Sequence, residues 1–245
     1  AWFSAGVSSA VATRLAIDEI DKIIYTHIDD QHPDTMRFVK DCEAWFGKPV
    51  EVWQSPLKSV ENACRMASFI KIPNVGATCT MRLKRRLRQE WEQDHPGRHV
   101  YFWGMDAREK RRAEKIVQHM PQSEHRFPLI ERGIGKVEAH EILRASGIKR
   151  PFMYEIGYHN NNCIGCVKGG MGYWNKIRID FPDVFKARSQ LERMIGFSIL
   201  DEGIWLDQLD PDRGRNEGPI CDDCGIMCEL QALRAAKPPP EGWEE

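Results

Sequence analysis

From residue 1 to residue 145 the chain alternates short β-rich runs with helical stretches, and that rhythm limits the fold more than any other feature. Trp2-Phe3 reads as the end of a strand. Residues 8–20 then set Ala10, Val11, Leu15, Ile17 and Ile20 at roughly helical recurrence, with Ser8 or Ser9 as N-cap. The run KIIYTHI at 22–28 is a second strand. A helix over 34–46 places Met36, Val39, Cys42 and Trp45/Phe46 on one face before Gly47-Lys48-Pro49 stops it. Further strands are expected at 50–53 and 99–103, and further helices at 59–69, 80–92, 107–117 and 136–145. Strands and helices alternating at this spacing imply an α/β fold with a mostly parallel, doubly wound sheet covered on both faces.

After Pro151 the rhythm stops. Glycine, asparagine and cysteine dominate 158–172, one helix is expected over 184–195, and KPPPEGWEE ends the sequence as a disordered tail. The organisation expected is therefore an α/β domain over 1–150, a cysteine-containing helical and irregular region over 151–235, and the tail at 236–245. With 245 residues, 42% of them hydrophobic, the chain suits one large domain with an appendage. No run of about 18 apolar residues occurs, so no membrane span is expected. Eight cysteines without a recognisable secretion signal point to a reducing, cytoplasmic setting, where thiols serve as metal ligands or redox groups rather than disulfides.

The net charge of −1 hides a strong asymmetry. Residues 82–115 carry eleven Lys/Arg against six Asp/Glu, whereas residues 201–245 carry twelve Asp/Glu against four Lys/Arg. A polyanionic partner would meet the middle of the chain.

Chemistry concentrates in two places. Ser4-Ala5-Gly6-Val7-Ser8-Ser9 joins a strand end to a helix start, where small residues leave backbone N–H groups and a positive helix end open to a phosphate. The same spacing also fits a tight turn with serine caps. The cysteines are the second place. Cys163-Ile164-Gly165-Cys166 is a two-residue-spaced pair in a polar loop, able to grip one metal or one cluster edge. Cys79 falls at an expected helix start, where the dipole favours thiolate. Cys221, Cys224 and Cys228 form a third group, while Cys42 and Cys64 sit on apolar helix faces as core residues.

The motifs together resemble those of the ATP pyrophosphatase and phosphoadenylyl-sulfate (PAPS) reductase superfamily. Ser4–Ser9 is similar to its Ser-Gly-Gly-x-Asp-Ser loop, with Ala5 at a usual glycine and Ser8 at a usual aspartate. Ile28–Thr35 is similar to the Asp-Thr-Gly-x-x-x-Pro-Glu-Thr segment, and Cys79–Lys84 to the Cys-x-x-x-x-Lys segment. GMDAREKRR from Gly104 resembles the Gly-x-Arg-x-x-Glu-x-x-Arg loop, with Asp106 at a usual arginine. PLIE at Pro128 and GYHNNNCIGC at Gly157 complete the order. The resemblance implies an adenine nucleotide α-hydrolase-like fold that binds ATP or another adenine nucleotide, with magnesium, through Ser4, Ala5, Gly6, Val7, Ser8, Ser9, Asp29, Asp30, Arg82, Lys84 and Gly104.

In the iron–sulfur branch of that superfamily, a cysteine at the Cys79 motif and a later Cys-x-x-Cys jointly hold a [4Fe–4S] cluster. The usual cysteine doublet is Thr78-Cys79 here. The expected ligands are therefore Cys79, Cys163 and Cys166 with Cys228 as the fourth, and Cys224 is the expected sulfur-carrying nucleophile. Three functions follow. The first is ATP-dependent, cluster-assisted thiolation of a nucleic-acid target, tRNA or DNA, gripped by the Arg82–Arg88 helix. The second is PAPS or adenylyl-sulfate reduction to sulfite with a thioredoxin-type donor. The third is a non-catalytic nucleotide- or nucleic-acid-binding module. A sulfur-donor protein and a second copy of the chain are further expected partners.

Overall fold

A computed structural model describes residues 1–72, 76–200 and 203–215. Cys221, Cys224 and Cys228 lie outside the described residues. The elements run β1 (Trp2–Phe3), α1 (Val7–Leu15), β2 (Ile23–His27), α2 (Asp34–Phe46), β3 (Val50–Gln54), α3 (Val60–Ala67), β4 (Lys71–Ile72), β5 (Gly76–Ala77) and α4 (Arg86–Asp94). They continue with β6 (Val100–Phe102), α5 (Lys110–His119), β7 (Glu124–Arg126), α6 (Pro128–Glu131), α7 (Lys136–Ala145), α8 (Phe152–Glu155), α9 (Met171–Asp180) and α10 (Pro182–Ile195).

The fold is α/β with short parallel strands. β2 pairs in parallel with β1 on one side and β3 on the other, in register Phe3–Tyr25 and Tyr25–Val52. β6 and β7 form a second parallel pair, and β4 and β5 a small antiparallel one. The expected single sheet is thus divided into small sheets. A cavity of about 560 Å³ is lined by Trp2 of β1, Ile24 of β2, and Tyr101 and Phe102 of β6. β2 is buried along Ile23–Thr26, as a central strand covered on both faces must be.

Two buried clusters hold the chain. In the first, Phe3 meets Phe46 edge-on at 5.5 Å and Phe38 at 6.4 Å, with Val7, Val11, Leu129 and Leu143 around them. Each such side chain removed from water contributes about 1.5–3 kcal/mol. The second cluster joins Val60, Cys64 and Leu83 to Met153, Val167, Trp174, Ile177 and Leu191. Packing therefore does not divide at residue 150: α3 and the segment before α4 share a core with the cysteine-bearing region. The loop expected after the cysteine pair becomes α9 because Trp174 and Ile177, three residues apart, are both fully buried. Among the described residues, no helix is long and apolar enough to cross a membrane.

Candidate functional site: an amide-rich bend beside a thiol loop

The bend between β1 and α1 keeps its backbone accessible. Ser4 is exposed and Gly6 and Ser8 are partly so, while Ala5, Val7 and Ser9 are buried. Ser9 is drawn inward because its Oγ accepts the Ser4 N–H at 2.9 Å, and Val7 N–H reaches the Tyr154 hydroxyl at 3.4 Å. The N–H groups of Gly6 and Ser8 have no hydrogen-bond partner among the described residues. They stand at the positive end of α1. Ala5 adopts φ +56°, the left-handed region that favours glycine. The residue at a usual glycine thus keeps a glycine-type backbone. Gly104 packs on the bend from the other side, where a Cβ would fall 2.3 Å from the Ser9 Cα.

The thiol loop is tied to this bend. Asn161 donates to the Ala5 carbonyl at 2.7 Å and to Thr35 Oγ1 at 3.2 Å, in the interior. Two residues on, Cys163 begins the pair. Gly165 takes φ +68°, which turns the chain sharply between the two cysteines, and a Cβ there would strike Val184 at 2.6 Å. The Tyr173 hydroxyl braces the turn, donating to Cys163 O at 3.1 Å and accepting the Cys166 N–H at 2.8 Å.

Cys79 and Cys163 are both partly buried against the second cluster. Burial pushes the Cys79 thiol up and the Cys163 thiol up to about 12. This reverses the expectation of a dipole-favoured Cys79 thiolate: desolvation outweighs the helix end. Lys84 opposes the rise at both thiols, and Lys168 opposes it at Cys79. Cys79 leads directly into a π-helical stretch, Thr80–Arg85, a wider coil than the regular helix expected there. Cys42 and Cys64 are fully buried, as expected of core residues.

The remaining predicted residues separate. Asp30 forms a buried ion pair with Arg188, accepts the Val60 N–H through Oδ2 at 2.7 Å, and offers its carbonyl to the Ile164 N–H at 2.8 Å. Its carbonyl thus holds the thiol loop directly, and its carboxylate does so through Arg188, whose Nε donates to the Gly165 carbonyl at 3.4 Å. Asp29 stays exposed and accepts from Gln54 at 2.6 Å. Arg82 turns toward Met66 Sδ at 3.6 Å, whereas the Lys84 charge opposes the rise of the Cys79 and Cys163 thiols. The helix expected to present Arg82–Arg88 to a polyanion is partly self-neutralised. Arg86 pairs with Glu90 at 2.7 Å, and Arg88 pairs with Glu92 and lies over the Tyr101 ring. Asp106, at a usual arginine, caps the turn before α5 by accepting the Arg108 N–H at 2.9 Å. Trp174 is fully buried and Tyr173 is held by the cysteine loop, so neither ring is open to stack on a base.

Sequence reasoning passed over Asn161, Tyr154 and Arg188. Asn161 was visible as the middle of the Asn160-Asn161-Asn162 run before Cys163, an unusual density of amides beside thiols. The other two carry no local signal.

Among the described residues, no three His, Cys, Asp or Glu groups are placed to hold a metal ion. Compared with known proteins, the chain matches no family model, no curated protein and no solved structure.

Proposed function

We propose that this chain is a cytoplasmic, adenine-nucleotide-binding enzyme of sulfur metabolism, of the PAPS reductase-like type, that thiolates a nucleic-acid target with ATP. The observation that carries the reading is the Asn161 side chain, which ties the loop bearing Cys163 and Cys166 to the amide-rich bend. The free N–H groups of Gly6 and Ser8 are suited to phosphoryl oxygens, and exposed Asp29 to a nucleotide-bound magnesium ion.

In this reading an acceptor oxygen attacks the α-phosphate of ATP and releases pyrophosphate, and hydrosulfide-level sulfur from a donor then displaces AMP, which leaves with that oxygen. Cys79, Cys163 and Cys166 would hold a [4Fe–4S] cluster with Cys228 as fourth ligand, and Cys224 would carry sulfur. A bound cluster supplies redox-active iron beside the nucleotide. Lys84 lowers the cost of thiolate charge in this buried pocket, and Tyr173 fixes the direction of the pair.

Ser8, in place of an aspartate, favours a second reading, reduction of a sulfonucleotide to sulfite. One experiment separates them. Anaerobically purified protein is incubated with labelled ATP and an RNA or DNA pool, and separately with PAPS and reduced thioredoxin. Pyrophosphate without sulfite supports thiolation, sulfite without pyrophosphate replaces it with reduction, and turnover of neither makes the chain a binding module.

A further inference from the structure

Beside the thiol loop lies a cavity of about 580 Å³, and Cys166 stands in its wall. None of the bend residues 4–9 lines it. Its described lining includes Lys71, Lys168, Lys176 and Arg215 and no carboxylate. Lys168 is exposed, and Lys168 and Arg215 have no hydrogen-bond or ion-pair partner among the described residues. Lys176 is partly engaged, 2.8 Å from Asp180 and 4.8 Å above the Tyr158 ring. The first turn of α9, at Gly170, Met171 and Gly172, also lines the cavity and adds its positive end. Gly172 sits so close to the Arg215 carbonyl that a Cβ would fall 2.0 Å away, so the 215 backbone is pressed onto α9.

We infer that this cavity receives a phosphate of the single-stranded nucleic-acid acceptor and holds the strand beside Cys166. The inference rests on the thiolation reading and relocates its acceptor from the Arg82–Arg88 helix. Three observations favour it. Cationic side chains with no carboxylate among the described lining suit phosphate esters. A volume of several hundred cubic ångströms suits a nucleotide-sized group. Cys166 in the cavity wall places the strand beside the proposed sulfur site.

The test measures anisotropy of fluorescein-labelled single-stranded RNA and DNA oligonucleotides with the full chain, alongside binding of a fluorescent ATP analogue. Lys168→Glu/Arg215→Glu should weaken oligonucleotide binding at least tenfold and leave ATP affinity unchanged. Lys168→Gln/Arg215→Gln, with the far-ultraviolet spectrum as fold control, should weaken it less and lower the salt slope by about 0.7 for each lost contact. Arg85→Glu/Arg86→Glu should have the smaller effect. Unchanged oligonucleotide affinity in the Lys168/Arg215 variants overturns the inference. So does a loss confined to ATP, which would make the cavity a free-nucleotide site. Oligonucleotide binding through these residues in a chain that carries no iron keeps the inference and removes the cluster reading.

Discussion

The side-chain amide of Asn161 donates to the backbone carbonyl of Ala5 at 2.7 Å, across 156 residues of sequence and in the protein interior. This bond couples the amide-rich bend to the cysteine loop, so the two halves of the candidate site cannot shift independently. Asn161→Ala leaves the Ala5 carbonyl and Thr35 hydroxyl without this partner, at a cost of about 1–3 kcal/mol. A lowered urea midpoint together with weaker ATP binding is expected. Weaker stability with unchanged ATP affinity would separate the bend from the loop.

The bend itself is a backbone device. At Ala5 a glycine would relieve about 1–2 kcal/mol of left-handed strain. It would forfeit about 0.8 kcal/mol of buried methyl and about 0.5–1 kcal/mol of chain entropy. Ala5→Gly should therefore change stability by less than about 1 kcal/mol, while Ala5→Val, β-branched at φ +56°, should destabilise severely. Gly104→Ala drives a methyl into the Ser9 backbone and should reach the upper end of the about 1–3 kcal/mol typical of overpacking. Thermal melts of the three variants check the order.

Arg188 and Asp30 test how the thiol loop is held. Removing only the cation, in Arg188→Met, strands a buried carboxylate and should cost about 3–5 kcal/mol. Adding Asp30→Asn removes the charge but keeps an acceptor for the Val60 N–H, so the double variant should be more stable than Arg188→Met alone. A double-mutant cycle in urea measures this, and additive losses would mean that the pair does not act as a unit.

His140 gives the fold an acid sensitivity. Burial, with Arg150, Lys136 and His159 nearby, lowers its pKa from 6.5 to about 4. Between those values the unfolded chain binds a proton that the folded chain refuses, so stability falls as pH drops from 6.5 toward 4. The gap corresponds to about 3 kcal/mol. Asp34, held low by Arg37, adds its own loss only below the ordinary carboxylate range. Glu192, raised by burial, pulls in the opposite direction. Comparing urea midpoints at pH 7 and pH 5 for the parent and for His140→Phe isolates the imidazole, and the variant should lose less on acidification.

Much of this architecture is legible in the residues alone, and the gaps have physical causes. Periodicity placed the helix at Lys136–Ala145 and the strand at Ile23–His27 to within a residue, because each buries a regular set of apolar side chains. It missed β7, whose Glu124, His125 and Arg126 look polar and pair only with β6. It missed α9 because glycines at its start mask the buried Trp174 and Ile177. In the candidate site, the spacing of Cys163 and Cys166 announces a chelating turn. The ties that aim it do not show, since Arg188 meets Asp30 from 158 residues away. The expected Cys79 thiolate failed because a local helix-end argument cannot register tertiary burial.

The central claim is that Cys79, Cys163 and Cys166 hold one iron–sulfur cluster beside the nucleotide bend. Iron and acid-labile sulfide analysis of the anaerobically purified chain, with its visible spectrum, tests it most directly. A brown protein with about four irons per chain is predicted, its colour and iron lost in each of Cys79→Ser, Cys163→Ser and Cys166→Ser but kept in Cys42→Ser. A colourless chain without iron, or one whose iron survives Cys79→Ser, would contradict the account.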